Sequence, residues 1–201
     1  MSVRHELFQN FDAAYESVAP WDIDHPQDIY VKLAQTGAIQ GSVLDAGCGT
    51  GENTLHIART CQDIWGVDIS PLAIQKAREK ASERGLQVTF QVGDALALSR
   101  LGRTFDTVID CGLMHNFSDE ERTLFIEELQ SVLRPGGKYF LHCFSKQLPG
   151  GVGPRGITPD EISTMFSQGW QVNSIRPTHF ELSTMSYQPP AWIAEITRTA
   201  E

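Results

Sequence analysis

Three glycines on alternate positions, Gly47, Gly49 and Gly51, follow an apolar run and an acid in Val43-Leu44-Asp45-Ala46-Gly47-Cys48-Gly49-Thr50-Gly51. A residue without a Cβ takes positive φ and lets a ligand lie directly against backbone amides, as a loop cradling a nucleotide-like cofactor requires. The dinucleotide fingerprint needs its third glycine one place later, where Glu52 stands. A carboxylate so close repels a pyrophosphate, so the spacing favours a cofactor without phosphate. Further along, Val67-Asp68-Ile69-Ser70 places an acid about 20 residues beyond the turn, where it can accept hydrogen bonds from both ribose hydroxyls. Asp94, in Val92-Gly93-Asp94-Ala95, has two readings: acceptor for an exocyclic amine of adenine, or cap of its own turn. The segment Asp110-Cys111-Gly112-Leu113-Met114-His115-Asn116 faces the reactive end of such a ligand. His115 is its candidate proton acceptor, with a structural hydrogen-bonding role as the competing reading. The remaining histidines have no comparable placement.

Positioning these residues at strand ends takes an alternating α/β chain. Short apolar strands are expected at Ser42–Leu44, Ile64–Ile69, Val88–Val92, Thr104–Cys111 and Lys138–Phe144. Helices fall between them. One covers Asn53–Thr60; a second opens at Ser70-Pro71 and closes at Gly85; a third starts from the capping box Ser118-Asp119-Glu120-Glu121. Pro135-Gly136-Gly137 reads as a turn, and Thr158-Pro159-Asp160-Glu161 caps a further helix. This order implies right-handed crossovers and a parallel sheet covered on both faces, with ligands beyond the carboxyl ends of the strands. Trp170–Phe180 and Ala191–Thr199 have no helical pattern between them and read as an edge hairpin whose last strand is antiparallel. Upstream, Phe8, Phe11, Tyr15 and Trp21 form a helix-plus-loop pattern suited to covering a pocket mouth, which makes Tyr15 and Trp21 candidate substrate contacts.

Composition narrows the class. At 201 residues the chain fits one domain with a single core: 1–40 as a lid segment, 41–144 as the cofactor-binding core, and 145–201 as a substrate-side loop, helix and hairpin. The net charge of −9, without a basic cluster, argues against a nucleic-acid partner. No run approaches the roughly 20 apolar residues of a membrane span. Four cysteines without metal-ligand spacing, and no leader-like start, point to a reduced cytoplasm and to no bound metal.

Taken in order, Val-Leu-Asp-Ala-Gly-Cys-Gly-Thr-Gly, Gly-Val-Asp-Ile-Ser, Val-Gly-Asp-Ala, Phe-Asp-Thr-Val-Ile-Asp and Leu-Arg-Pro-Gly-Gly resemble the motifs of class I S-adenosylmethionine-dependent methyltransferases over about residues 41 to 144. The resemblance implies a Rossmann-like, seven-stranded, mostly parallel α/β sheet with an antiparallel last strand. It implies S-adenosylmethionine as methyl donor and S-adenosylhomocysteine as product. By position, Asp45, Gly47, Cys48, Gly49 and Gly51 lie beneath the methionine and ribose; Asp68 and Ile69 hold the ribose; Asp94 and Ala95 flank adenine; and Cys111 borders the methionine. Pro20-Trp21-Asp22-Ile23 is similar to a segment of small-molecule thiol, halide and chalcogen methyltransferases, including the thiopurine and tellurite-resistance groups, where Trp21 would close over the cofactor. Arg155, in the Gly/Pro-rich loop 148–156, is the expected partner for an anionic substrate.

The function expected is methyl transfer to a small thiol or other soft nucleophile by a monomer or small homo-oligomer. Two alternatives stand beside it: an O- or N-methyltransferase of a larger metabolite with His115 as base, and a non-catalytic cofactor-binding regulatory partner.

Overall fold

Apolar runs and capped helices alternate through the chain as the spacing predicts, and the winding direction reverses once. The computed structural model describes residues 11–17, 19–145 and 154–200; Phe8 and most of the loop 148–156 lie outside them. Seven strands form one sheet: β1 (Val43–Ala46), β2 (Ile64–Asp68), β3 (Thr89–Val92), β4 (Phe105–Cys111), β5 (Leu133–Phe144), β6 (Trp170–His179) and β7 (Pro190–Arg198). Their order is β3-β2-β1-β4-β5-β7-β6. The pairs among β1 to β5 are parallel, whereas β7 runs antiparallel to both β5 and β6. The expected edge hairpin is present, with its last strand inserted inside the sheet.

Helices among the described residues that pack with the strands are α1 (Asp28–Gln35), α2 (Glu52–Ile57), α3 (Pro71–Glu83), α4 (Asp119–Val132) and α5 (Pro159–Met165). Three begin as read from sequence. Ser70 accepts the Ala73 N–H with Pro71 in the first turn, and Ser118 and Thr158 each close a capping box. Residues alternate between two core layers. Leu44, Val108 and Leu141 pack with Phe125 and Leu129 of α4 on one face. Val43, Ile109 and Phe140 pack with Tyr30 and Leu33 of α1 on the other.

Two expectations shift. β1 runs through Ala46, so Asp45 is a buried strand residue at 1% exposure and not a loop acid. The Pro135–Gly137 turn is absorbed into β5: Leu133 pairs with Phe105 and Lys138 with Thr107, and the intervening residues bulge around Gly136 at φ +81°.

The segment before α1 is fastened at several points. Asp12 accepts Ser70 Oγ at 2.5 Å and Leu72 N at 3.1 Å at the start of α3, and Lys76 Nζ donates to the Tyr15 carbonyl at 2.6 Å. The buried Gln27 amide donates to Glu181 O at 2.8 Å and accepts Glu181 N at 2.9 Å, while the Glu181 carboxylate accepts Asp28 N at 3.2 Å. The β6–β7 loop thus supplies the cap that α1 lacks locally. Gln27→Ala leaves the Glu181 N–H and C=O unpaired, and the expected loss is about 1–3 kcal/mol. Chemical denaturation checks this: a lower midpoint at unchanged slope is expected, and an unchanged midpoint removes the clasp from the stability account.

No helix among the described residues is long and apolar enough to cross a membrane.

Candidate active site

The reversal of strand order falls between β1 and β4, and there the register sets Ala46 against Asp110. The glycine turn and the Cys111–Asn116 segment therefore leave the sheet side by side, on either wall of the crevice where open α/β sheets bind ligands.

Gly47, Gly49 and Gly51 all have positive φ. A Cβ on Gly49 would stand 2.8 Å from the Tyr15 hydroxyl, and one on Gly51 would stand 2.8 Å from Phe90 and 3.1 Å from Ala77. The second glycine thus admits the N-terminal segment and the third admits close packing of strand and helix. Asp68 accepts Gly49 N at 2.8 Å and Ser70 N at 2.9 Å. Burial raises its carboxyl above the ordinary value, against the opposing pull of those N–H groups. Ile69 follows it between β2 and α3.

Glu52 differs from expectation. It is 8% exposed and gives both oxygens to Arg84 at 2.8 Å, with Lys80 at 2.9 Å. Burial raises its pKa, but the hydrogen bonds from Arg84 and Lys80 outweigh that and lower it. Its charge is answered from α3, so it serves the packing of α2 on α3 and not phosphate repulsion.

Asp45 is buried near the end of β1, just before the glycine turn. One oxygen accepts Thr54 Oγ1 at 2.5 Å, while the other is buried without a partner, and burial pushes the carboxyl up to about 7. An orphaned carboxylate oxygen under the glycine turn is a matching site for an ammonium group. Together with the glycine cradle and Asp68, it makes this set of residues fit the amino-acid and ribose parts of S-adenosylmethionine.

Tyr15 and Trp21 come together above the turn, where Trp21 Nε1 donates to the Tyr15 hydroxyl at 3.0 Å and the rings meet edge to face. Thr50 ties this cover down, donating to Asp22 at 2.6 Å and accepting from Lys80 at 2.8 Å. At the end of β3, Asp94 accepts Leu96 N at 2.9 Å, the turn-capping geometry, and Ala95 is buried beside it. Cys48 and Cys111 are free thiols whose pKa values burial pushes well up. Cys111 Sγ lies 3.7 Å from His142 Nδ1.

Asp110 does more than its place at the head of the Asp110–Asn116 segment suggests. It accepts Leu113 N at 2.7 Å, Met114 N at 3.1 Å and the Tyr139 hydroxyl at 2.7 Å, which fixes the short 3-10 turn carrying His115. Burial pushes its carboxyl up to about 6. The readable signal was an acid directly before Cys-Gly at a strand end, a common turn-capping arrangement.

His115 stacks on Phe144 at 4.6 Å and 9°, and its Nδ1 accepts the Phe144 N–H at 3.1 Å. Burial, helped by Arg122, lowers its pKa to about 3. The neutral ring therefore carries its proton on Nε2, the geometry of a donor. His142 stacks on Phe180 at 3.8 Å and 7°, and Phe180 also meets Phe144 and His115.

Arg155 and His115 do line one cavity, of about 510 Å³. The Arg155 guanidinium is already engaged, however, by Glu161 and by Asp119 at 3.1 Å, and Asp119 also holds Arg122 at 3.2 Å. The charge of Arg155 is shared with those two carboxylates.

Comparison with known proteins bears on the same residues. The family described as a methyltransferase domain matches residues 43–137. The chain is 32% identical to a 2-heptyl-1-hydroxyquinolin-4(1H)-one methyltransferase of Mycobacteroides abscessus over 89% of this chain and 83% of that protein. It is 27% identical to a probable thiol methyltransferase 2 of Arabidopsis thaliana over 62% and 56% of the two chains. A solved structure described as "Conversion of a Disulfide Bond into a Thioacetal Group during Echinomycin Biosynthesis" superposes with a TM-score of 0.87 at 34% identity, over 96% of this chain and 92% of that one.

The raised carboxyls give a pH signature. Asp45 is pushed up to about 7 and Asp110 to about 6 in the fold. The stability these two carboxyls contribute therefore falls as pH rises from about 4 to 7, while buried His115 and His142, lowered to about 3, contribute the opposite slope up to about 6.5. The difference between the parent protein and Asp45→Asn isolates one carboxyl: the parent should lose stability relative to the variant as pH rises from about 4 to 7, which thermal unfolding of both across the range measures, and a difference that runs the other way would refute the sign.

Proposed function

The chain belongs to the class I S-adenosylmethionine-dependent methyltransferases, and we propose that its acceptor is a small molecule whose nucleophile ionises without help from a protein base. A thiol or an acidic hydroxyl on an aromatic ring system meets that description. The observation that carries the reading is His115: stacked on Phe144, with Nδ1 taken by a backbone N–H and its pKa lowered to about 3. A ring in that state donates a hydrogen bond; it does not remove a proton.

Bound S-adenosylmethionine supplies an electrophilic methyl on a positively charged sulfur. The protein's own work is then positioning and exclusion of water, with nucleophile and methyl in line at about 3–3.5 Å. Asp45 accepts from the ammonium of the methionine part, Asp68 from the ribose hydroxyls, and the cover formed by Tyr15 and Trp21 shuts water out. Asp94 and Ala95 border the adenine, and Ile69 backs the ribose. The sheet end at Cys111 to His115, held by Asp110, forms the wall that meets the acceptor. Phe144 and Phe180, buried and stacked on His115 and His142, back that wall with apolar rings, which suits an aromatic or thioether-forming acceptor.

Two named relatives support this choice. A 1-hydroxyquinolin-4-one and a thiol differ in the acceptor atom, but both carry a proton that leaves readily near neutral pH. The second reading, a larger hydroxyl or amine acceptor with His115 as base, lacks the required free nitrogen.

The pH dependence of kcat separates the two. With acceptors of different acidity, the rising limb should move with the acceptor's own pKa. His115→Ala should slow the folded enzyme by less than about tenfold, below the 10²–10⁴ expected on loss of a general base. A limb fixed across acceptors, together with a collapse in the variant, would restore the base.

A further inference from the structure

We infer that the cavity between the N-terminal segment and the β6–β7 loop is the acceptor's binding site, and that it takes an acceptor whose body, apart from the reacting group, is apolar and uncharged or cationic, while turning away bodies that carry a further anionic group. The inference rests on the methyl-transfer reading above and names its substrate class. The cavity encloses about 600 Å³, within the range of small-molecule sites.

Its walls are tied to the chemistry on both sides. Asp22, on one wall, accepts the hydroxyl of Thr50 in the glycine turn at 2.6 Å. Leu182, on the other, packs with Phe144, Phe180 and Cys111, the group that ends β4 and β5. The Gln27 clasp on Glu181 fixes the distance between the walls.

The lining has a one-sided chemistry. Ile23, Leu182 and Met185 offer apolar surface, whereas the charged groups are Asp22, Asp24 and Glu181 against one imidazole, His25, whose Nε2 lies 3.8 Å from Glu181. Neither Lys nor Arg lines the cavity among the described residues. The neighbouring cavity has Arg122 and Arg155, but both share Asp119 and Arg155 also holds Glu161. An acceptor body with an added anionic group meets three carboxylates against one imidazole in the first cavity and committed cations in the second. A neutral ring is accommodated, and a cationic one is attracted.

Binding and turnover test this separately. The probes are thioanisole, 4-(methylthio)benzoate and 4-(methylthio)phenyltrimethylammonium, titrated calorimetrically into full-length protein saturated with S-adenosylhomocysteine at low salt. The neutral and cationic thioethers should bind at least about tenfold tighter than the carboxylate, with the gap narrowing as salt screens it. Asp24→Asn, at an exposed position, and Glu181→Gln, which keeps an oxygen for Asp28 N, should each narrow the ratio of anion to neutral Kd about threefold. Equal or tighter binding of the carboxylate, or a ratio indifferent to both substitutions, overturns the inference. Turnover of the three parent thiols and of a 1-hydroxyquinolin-4-one tests the earlier reading: a charge order in binding without methylation of any of the four refutes that reading and upholds the cavity's selectivity. Methylation without a charge order does the reverse.

Discussion

The rest of the site depends on the register between β1 and β4. Ala46 opposite Asp110 fixes how far the glycine turn stands from the segment that ends in His115, because both leave the sheet from that one rung. Asp110 then turns a register into a wall: its carboxylate collects two backbone N–H groups and the Tyr139 hydroxyl. The Tyr30 hydroxyl meets the Asp110 carbonyl from the opposite face at 2.6 Å. Helix, two strands and the reactive-end turn are joined through one residue, and its satisfied hydrogen bonds offset what burial of a carboxylate would otherwise cost.

A second constraint is dryness. Asp45, Asp68, Cys48, Cys111 and His115 all show the signature of burial, acids and thiols pushed up and imidazole pushed down. Such an environment disfavours unpaired charge of any origin, so a cationic ligand is held there by the carboxylates of Asp45 and Asp68, which its arrival draws towards the ionised form.

Much of this was legible in the sequence, and the reasons are local. Ser70-Pro71 and the two capping boxes announce helix starts because their partners lie within three residues. The glycine turn and Asp68 could be paired because their spacing reflects one βαβ step. The partners of Glu52 and Arg155 were hidden for the opposite reason: each charge is answered by residues brought in from another element, Lys80 and Arg84 for the first and Asp119 for the second. Nothing in the local pattern marks such a partner. The hydrogen bond that occupies His115 Nδ1 was equally hidden, since its donor is the backbone N–H of Phe144, 29 positions away. The lid and domain division read from sequence remain proposals, though the anchoring of Tyr15 and Trp21 above Gly49 agrees with a cover.

The insertion of β7 between β5 and β6 has a consequence for how the molecule is made. Edge strand β6 pairs only with β7, so it has no neighbour in the sheet until the final strand is synthesised. The Gln27 clasp reaches across 154 positions to the loop between them. The cover over the cofactor crevice has its first ties, to Thr50, Ser70, Leu72 and Lys76, within the early half of the chain, and only the clasp on Glu181 waits for the carboxyl-terminal hairpin. A nascent chain can thus seat its cover together with the donor half, and completion of the hairpin adds the remaining wall beside it.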